Sequence, residues 1–249
     1  MAVLGGLLAR LRRRSAPALE PGEVPRSVAI ILDGNSRWAA DRGLTVEDGH
    51  REGTRALRRT VEAAIDLGIE SLTVYAFSTE NWLRPPAEVD ALMEIFAETI
   101  ERELPDLAER GVRTRFLGRR DRVSPELRER MEDLEAETAN RDRLNLWIAF
   151  DYGGRAELAD AVRRLLAAGV GPDEIDEDVL ARYLYAPELP DPDLLIRTSG
   201  EVRISNFLLW QIAYSELVFT ERRWPEFGAE DLRSAVVEYA ARERRFGAR

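Results

Sequence analysis

Apolar, β-branched-rich runs punctuate the chain at 28-VAIIL-32, 72-LTVYAF-77, 112-VRTRFL-117, 144-LNLWIAF-150, 194-LLI-196 and 217-LVF-219. Short continuous apolar runs of this kind suit strands buried on both faces. Between most of them the apolar residues switch to helical spacing. In 54-TRALRRTVEAAIDLG-68 the positions Leu57, Val61, Ala64 and Ile65 share one face, and Gly68 suits the stop. Val89, Leu92, Met93, Phe96 and Ile100 form a second stripe within 88–100. Strands alternating with helices predict an α/β fold in which a mostly parallel central sheet of about six strands carries helices on both faces. Residues 1–25 and 168–192, richer in Pro, Gly and acids, read as a tail and an excursion. That leaves 26–249 as one folded domain, with no internal repeat.

In open α/β sheets, ligands collect beyond the carboxyl ends of the strands. The segments found there are Asp33-Gly34-Asn35-Ser36-Arg37-Trp38, 78-STENWLRPP-86, 151-DYGGR-155 and 197-RTSGEVRIS-205. All are polar. Their convergence gathers Asp33, Arg37, His50, Arg84, Arg197 and Arg203 with small hydroxyls and amides. Guanidinium groups grip phosphate oxygens two at a time, so such a cluster suits a phosphate or diphosphate. Asp33, at a strand end, is either a turn residue or a carboxylate that holds Mg²⁺ together with substrate phosphates. Trp38, Phe77 and Trp82 lie beside these segments. They are core aromatics, or a surface for a sugar, a base or a lipid chain.

Composition narrows the choices. A chain of 249 residues is one large domain, and its net charge of −10 argues against nucleic acid as a partner. Cysteine is absent, which excludes disulfides and thiolate chemistry. Lysine is absent too, so a Walker loop, a Schiff base and a lysine general base drop out. The start, 1-MAVLGGLLARLRRRSAP-17, places apolar residues before basic ones, the reverse of a secretory signal. The expected location is cytoplasmic. The tail is frayed, or it is an amphipathic membrane-surface helix that offers Arg10, Arg12, Arg13 and Arg14 to anionic lipid.

The segments 28-VAIILDGNSRWA-39, 49-GHREG-53, 75-YAFSTENWLRP-85, 152-YGGR-155 and 196-IRTSGEVRISNFLLWQIAYSELVFTERRWPEF-227 resemble the five signature regions of the cis-prenyltransferases, the undecaprenyl diphosphate synthase family. The resemblance spans about residues 26–249. It implies an enzyme that condenses isopentenyl diphosphate with an allylic diphosphate, usually farnesyl diphosphate, with Mg²⁺ as cofactor. A long-chain cis product is the expectation; a short-chain synthase and a non-catalytic partner subunit are the alternatives. The resemblance implies that Asp33 is catalytic and binds the metal, with Glu216 a second metal carboxylate near the partner subunit's site. It implies that Gly34, Asn35, Ser36, Arg37 and His50 cradle the allylic diphosphate, and that Trp38, Phe77 and Trp82 line the isoprenoid path. Asn81 sits near the transferred proton, and Ser78, Thr79, Glu80 and Arg84 belong to a loop over the substrate. Arg197, Arg203, Ile204 and Ser205 bind isopentenyl diphosphate. The ending 244-RRFG-247 carries the family's Arg-x-Gly, which implies a homodimer.

The chain departs from the family pattern at several positions. Val46 stands where an arginine is usual, which leaves Arg42 or Arg51 as substitutes. Ser36 replaces a common glycine, and Trp147 and Asp151 replace common asparagines. Ala76 is small, in keeping with a long product, and the stripe of 88–100 is expected to wall a product tunnel. A phosphohydrolase with an aspartyl nucleophile is a rival for IILDG, but it wants a second acid where Asn35 stands.

Overall fold

The computed structural model describes residues 22–242. Six strands form its sheet: β1 (Ser27–Ile31), β2 (Ser71–Ser78), β3 (Val112–Leu117), β4 (Leu144–Tyr152), β5 (Leu194–Arg197) and β6 (Glu216–Phe219). The order across the sheet is β3-β4-β2-β1-β5-β6, and every pairing is parallel. All five residues of β1 are buried, as a central strand covered on both faces requires. The chain winds from β1 toward one edge, then crosses to the other side of β1 to form β5. The reversal leaves a crevice beyond the carboxyl ends of β1 and β5, where such sheets bind ligands.

The longer helices are α1 (Asn35–Ala40), α2 (Val46–Leu67), α3 (Pro86–Arg102), α4 (Leu104–Glu109), α5 (Pro125–Glu137), α6 (Gly154–Ala167), α7 (Glu177–Ala181) and α8 (Ala229–Ala240). The expected helix over 54–68 begins earlier, at Val46. Its start is set by Thr45, whose hydroxyl accepts from the Asp48 amide while the Asp48 carboxylate accepts from the Thr45 amide. This reciprocal cap satisfies two otherwise orphaned donors. Gly68, at φ 80°, closes the helix in the left-handed region that glycine adopts without steric cost. The excursion of 168–192 contains α7 and a 3₁₀ turn, Pro172–Glu174.

Alternate residues of each strand enter two apolar layers. Val28, Ile30, Leu72, Val74, Leu146 and Ile148 face the layer that includes residues of α2, α3, α5 and α8. Ala29, Ile31, Tyr75, Trp147, Ala149 and Leu195 face the other, with Phe207 and Leu208. Trp147 is thereby directed away from the α2–α3 side of the sheet. Residues 1–21, most of the tail read as frayed or amphipathic, and 243–249, including the Arg-x-Gly ending, lie outside the described residues.

Candidate active site

Beyond β1 the chain turns at Asp33. The Asp33 amide donates to Thr198 Oγ1 at 2.9 Å, and the same hydroxyl donates to the Asp33 carbonyl at 2.7 Å. Trp224 N–H also donates to that carbonyl. Two distant segments therefore converge on one residue. Gly34 follows at φ 106°, and a Cβ there would stand 2.7 Å from Ser199 Oγ, so both conformation and space demand glycine. The bend launches α1 with Asn35, Ser36 and Arg37 in its first turn.

The Asp33 carboxylate is held between two cations. Arg37 donates to Oδ1 at 3.1 Å and Arg197 to Oδ2 at 2.9 Å. Arg197 is itself buried, at 4% exposure, and also donates to Ser205 Oγ at 2.7 Å and to the Arg203 carbonyl. It thus clasps the 198–206 loop to the end of β1. That loop is conformationally costly: Ser199, Ser205 and Asn206 have positive φ, as does Leu208 just beyond it. Such backbone persists only where surrounding contacts over-determine it, and it clusters at functional sites. Glu201 joins Arg37 at 3.2 Å and also pairs with Arg203. Ile204 packs, partly buried, against the second apolar layer.

On α2, Gly49 and Gly53 let the helix approach α1. A Cβ on Gly49 would meet the Asn35 carbonyl at 2.4 Å, and one on Gly53 would meet Asn35 Oδ1 at 2.6 Å. The approach sets Asn35 Nδ2 3.4 Å from His50 Nδ1. With Nδ1 accepting, the imidazole proton sits on Nε2, which is buried and has no protein partner. Burial, helped by the nearby Arg84 charge, lowers the His50 pKa to about 4, so the ring is a neutral donor at pH 7. Arg197 Nε is likewise buried without a partner. Two unused donors beside the crevice are what an anionic ligand would satisfy.

From Asp33 the crevice deepens into a cavity of about 360 Å³. Its polar mouth includes Asn35, His50, Ser78, Asn81, Arg84, Arg197 and Arg203. Its interior is apolar: Leu57 of α2, Leu92, Ile95 and Phe96 of α3, Phe77 of β2 and Phe150 of β4. Phe96 stacks on Phe150 at 4.0 Å between centroids, and Phe150 on Phe77 at 5.2 Å. Of the helical stripe of 88–100, Leu92 and Phe96 line the cavity, joined by Ile95 and Thr99, whereas Val89, Met93 and Ile100 do not. Ala76 lines the cavity, whereas Trp147 does not.

The segment after β2 is a 3₁₀ helix, Thr79–Leu83. Asn81 Oδ1 accepts from the Ser78 amide at 2.9 Å. Thr79 donates to Glu80 at 2.9 Å, and Glu80 accepts from Asn206 at 2.9 Å. Arg84 pairs with Glu88 at 2.9 Å. Trp82 packs edge-on against Phe77 at 5.1 Å, behind the cavity wall rather than on it. Trp38 also stands off the cavity, under the Arg42 guanidinium at 4.5 Å, and Ser36 is exposed on α1. Neither candidate substitute for the missing arginine reaches the cavity lining: Arg42 pairs with Glu226, and Arg51 with Glu98.

Glu216 occupies the opposite end of the sheet. It pairs in register with Leu194, as does Val28, five positions before Asp33. At the strand rise that separation is roughly 15 Å. Glu216 pairs there with Arg242 at 2.7 Å. Asp33 and Glu216 therefore share no centre within one chain. Among the described residues no group of three or more His, Cys, Asp or Glu could hold a metal.

Residues that the sequence reading passed over also shape the site. Thr198 anchors Asp33, and Trp224 donates to the Gly53 carbonyl at 2.8 Å. Asn206 accepts from the Gly154 and Arg155 amides at the start of α6. Thr198 and Asn206 sit inside or beside motifs already singled out, but only the fold reveals which backbone they fasten.

The prenyltransferase family model for undecaprenyl diphosphate synthase matches residues 31–247. A ditrans,polycis-undecaprenyl-diphosphate synthase, (2E,6E)-farnesyl-diphosphate specific, from Xanthomonas axonopodis pv. citri is 50% identical over 240 residues, covering 94% of this chain and 93% of the relative. An isoprenyl transferase of Heliobacterium mobile is 50% identical over 233 residues, covering 92% of this chain and 90% of the relative. Among solved structures, lavandulyl diphosphate synthase from Lavandula x intermedia, in complex with dimethylallyl diphosphate, superposes with a TM-score of 0.87 at 35% identity. That match covers 90% of this chain and 99% of the other. The chain accordingly belongs to the undecaprenyl diphosphate synthase family of cis-prenyltransferases.

Proposed function

We propose that this enzyme extends farnesyl diphosphate with isopentenyl diphosphate units into a long-chain cis-polyprenyl diphosphate. The observation that carries the reading is the junction of a guanidinium-lined mouth with an apolar cavity at Asp33. A diphosphate head and a hydrocarbon tail need those two environments side by side. The farnesyl-specific name of the Xanthomonas relative supports the choice of primer.

In this reading the allylic diphosphate rests on the α1 turn, with Asn35, Arg37 and the His50 Nε2 proton. Isopentenyl diphosphate lies against Arg197, Arg203 and Ser205. The first C–O bond breaks and the diphosphate leaves. The double bond of isopentenyl diphosphate attacks the allylic carbon, and a proton is then lost. Guanidinium groups fixed before substrate arrives stabilise the charge on the leaving group. The Phe77, Phe150 and Phe96 wall keeps water from the electron-poor carbon. Asn81 Oδ1 already caps the 3₁₀ turn, so its amide N–H₂ is the group free to steer a diphosphate oxygen.

Asp33 fits Mg²⁺, which binds through one or two carboxylates and completes its shell with water and phosphate oxygens. When bound, the ion would neutralise diphosphate charge. Glu216 would serve a site completed by a second copy of the chain, and the homodimer and peripheral contact with the cytoplasmic face of the membrane belong to this proposal. No helix among the described residues is long and apolar enough to cross a membrane.

The test is direct. The protein is incubated with labelled isopentenyl diphosphate, farnesyl diphosphate and Mg²⁺, and the extracted products are sized. Long-chain products are expected. Products stopping after one or two additions favour a short-chain synthase, and no extension with any allylic primer overturns the reading.

A further inference from the structure

We propose that Asp151 and Arg122 form a latch that holds the Thr79–Leu83 turn closed over the cavity mouth through the Trp82 indole. Asp151 is a positioning residue for the condensation. This rests on the functional reading above only for its effect on turnover; the latch itself is a property of the free protein.

Asp151 lies near the end of β4, at the same sheet edge as Asp33, yet its side chain is wholly buried. It has a φ of 47°, in the left-handed region that disfavours an aspartate. A buried carboxylate on strained backbone needs compensation. Arg122 supplies it with two guanidinium contacts, one from Nε at 3.0 Å and a closer one from the terminal nitrogen. The same carboxylate then accepts the Trp82 indole N–H at 2.8 Å. Arg122 also lies 5.0 Å from the centroid of that indole ring. One acid and one base thus grip a single side chain from its edge and from its face.

Trp82 is adjacent to Asn81 and is followed, after Leu83, by Arg84; both Asn81 and Arg84 line the cavity mouth. Leu83, next to Trp82, is 87% exposed and contributes no anchorage. The turn's other ties include the Ser78–Asn81 bond, the Glu80–Asn206 bond, the Trp82–Phe77 contact and the Arg84–Glu88 pair. The Trp82–Asp151 bond is the hydrogen bond among them made to a side chain with no solvent exposure. Releasing it frees Asn81 and Arg84 to sample positions away from the reacting carbons. The Asp33–Arg197 clasp, at the ends of β1 and β5, remains intact. Turnover should fall more than affinity for isopentenyl diphosphate.

Two measurements on the full-length protein test this. Amide hydrogen exchange is followed in the free enzyme for Asp151→Ala, Asp151→Asn and Trp82→Phe. Steady-state kcat and KM are measured for the same proteins. Asp151→Ala and Trp82→Phe should speed exchange within 79–84 at least fivefold, with β1 and β5 unchanged. Both should lower kcat about tenfold with KM for isopentenyl diphosphate within twofold. Asp151→Asn keeps an acceptor for the indole N–H and should restore most of kcat. If Asp151→Ala does not fold, Trp82→Phe alone decides, since it spares the Asp151–Arg122 pair. Unchanged exchange at 79–84 overturns the latch. Faster exchange with unchanged kcat overturns its part in catalysis. A wild-type enzyme that extends no primer sinks the functional reading instead, and leaves the exchange result to judge the latch.

Discussion

Two aspartates stand at the same sheet edge, each met by arginine, and they do opposite work. Asp33 keeps 25% of its side chain exposed, at the mouth of a cavity whose neighbours His50 Nε2 and Arg197 Nε have no protein partner. Asp151 is sealed, and its carboxylate is occupied by Arg122 and Trp82. Charge pairing does not separate an acid open to a ligand from a sealed one. Access, and leftover donors nearby, do.

The sharpest way to break the comparison is Asp33→Ala. Turnover should fall on the order of 10³-fold, the scale of losing a group that stabilises transition-state charge. A folded variant with wild-type turnover would end the metal assignment. Asp151→Ala should touch turnover far less, about tenfold, because its carboxylate acts only through Trp82 and Arg122. It should also lower the denaturant midpoint, since the indole N–H and the 37% exposed Arg122 lose their buried partner. If both aspartates cost the same turnover, the distinction between them fails.

A third variant probes the two halves of the mouth. Arg203→Ala should raise KM for isopentenyl diphosphate roughly 10- to 50-fold, the worth of a hydrogen bond to a charged group, and leave KM for farnesyl diphosphate within a few-fold. Equal effects on both substrates would argue against separate subsites.

The smallest effect concerns His50. Its pKa in the folded protein, about 4, lies below the ordinary 6.5. Between those values the unfolded chain binds the extra proton, so the stability this ring contributes is full above pH 6.5 and lost as pH falls toward 4. Between pH 6.5 and 5.5 the loss should be about 1 kcal/mol. A melting-temperature series should show that drop shrinking in His50→Gln; parallel curves for the two proteins would contradict a buried neutral imidazole.

Much of this was legible in the sequence. The six apolar runs became the six strands because parallel strands buried on both faces cannot hide their composition. The arginine and aspartate segments met because strand ends share one edge. The start of α2 escaped a periodicity reading, since Gly49, His50 and Gly53 break the apolar rhythm. The Thr45 and Asp48 cap carried that signal instead. The facing of Trp147 was open until β4 was placed between β2 and β3. The role of Asp151 was hidden because its partners lie 29 and 69 positions away along the chain, and nothing local marks a residue as their meeting point.

The cations lining the cavity, Arg84, Arg197 and Arg203, are all guanidinium groups, which keep their proton throughout the range in which the fold survives. The pull on an anionic head group should therefore hold steady under alkaline conditions. A fall in activity at high pH would report on the stability of the scaffold rather than on the grip, and the acid limb would report on His50 and on the substrate's own phosphates.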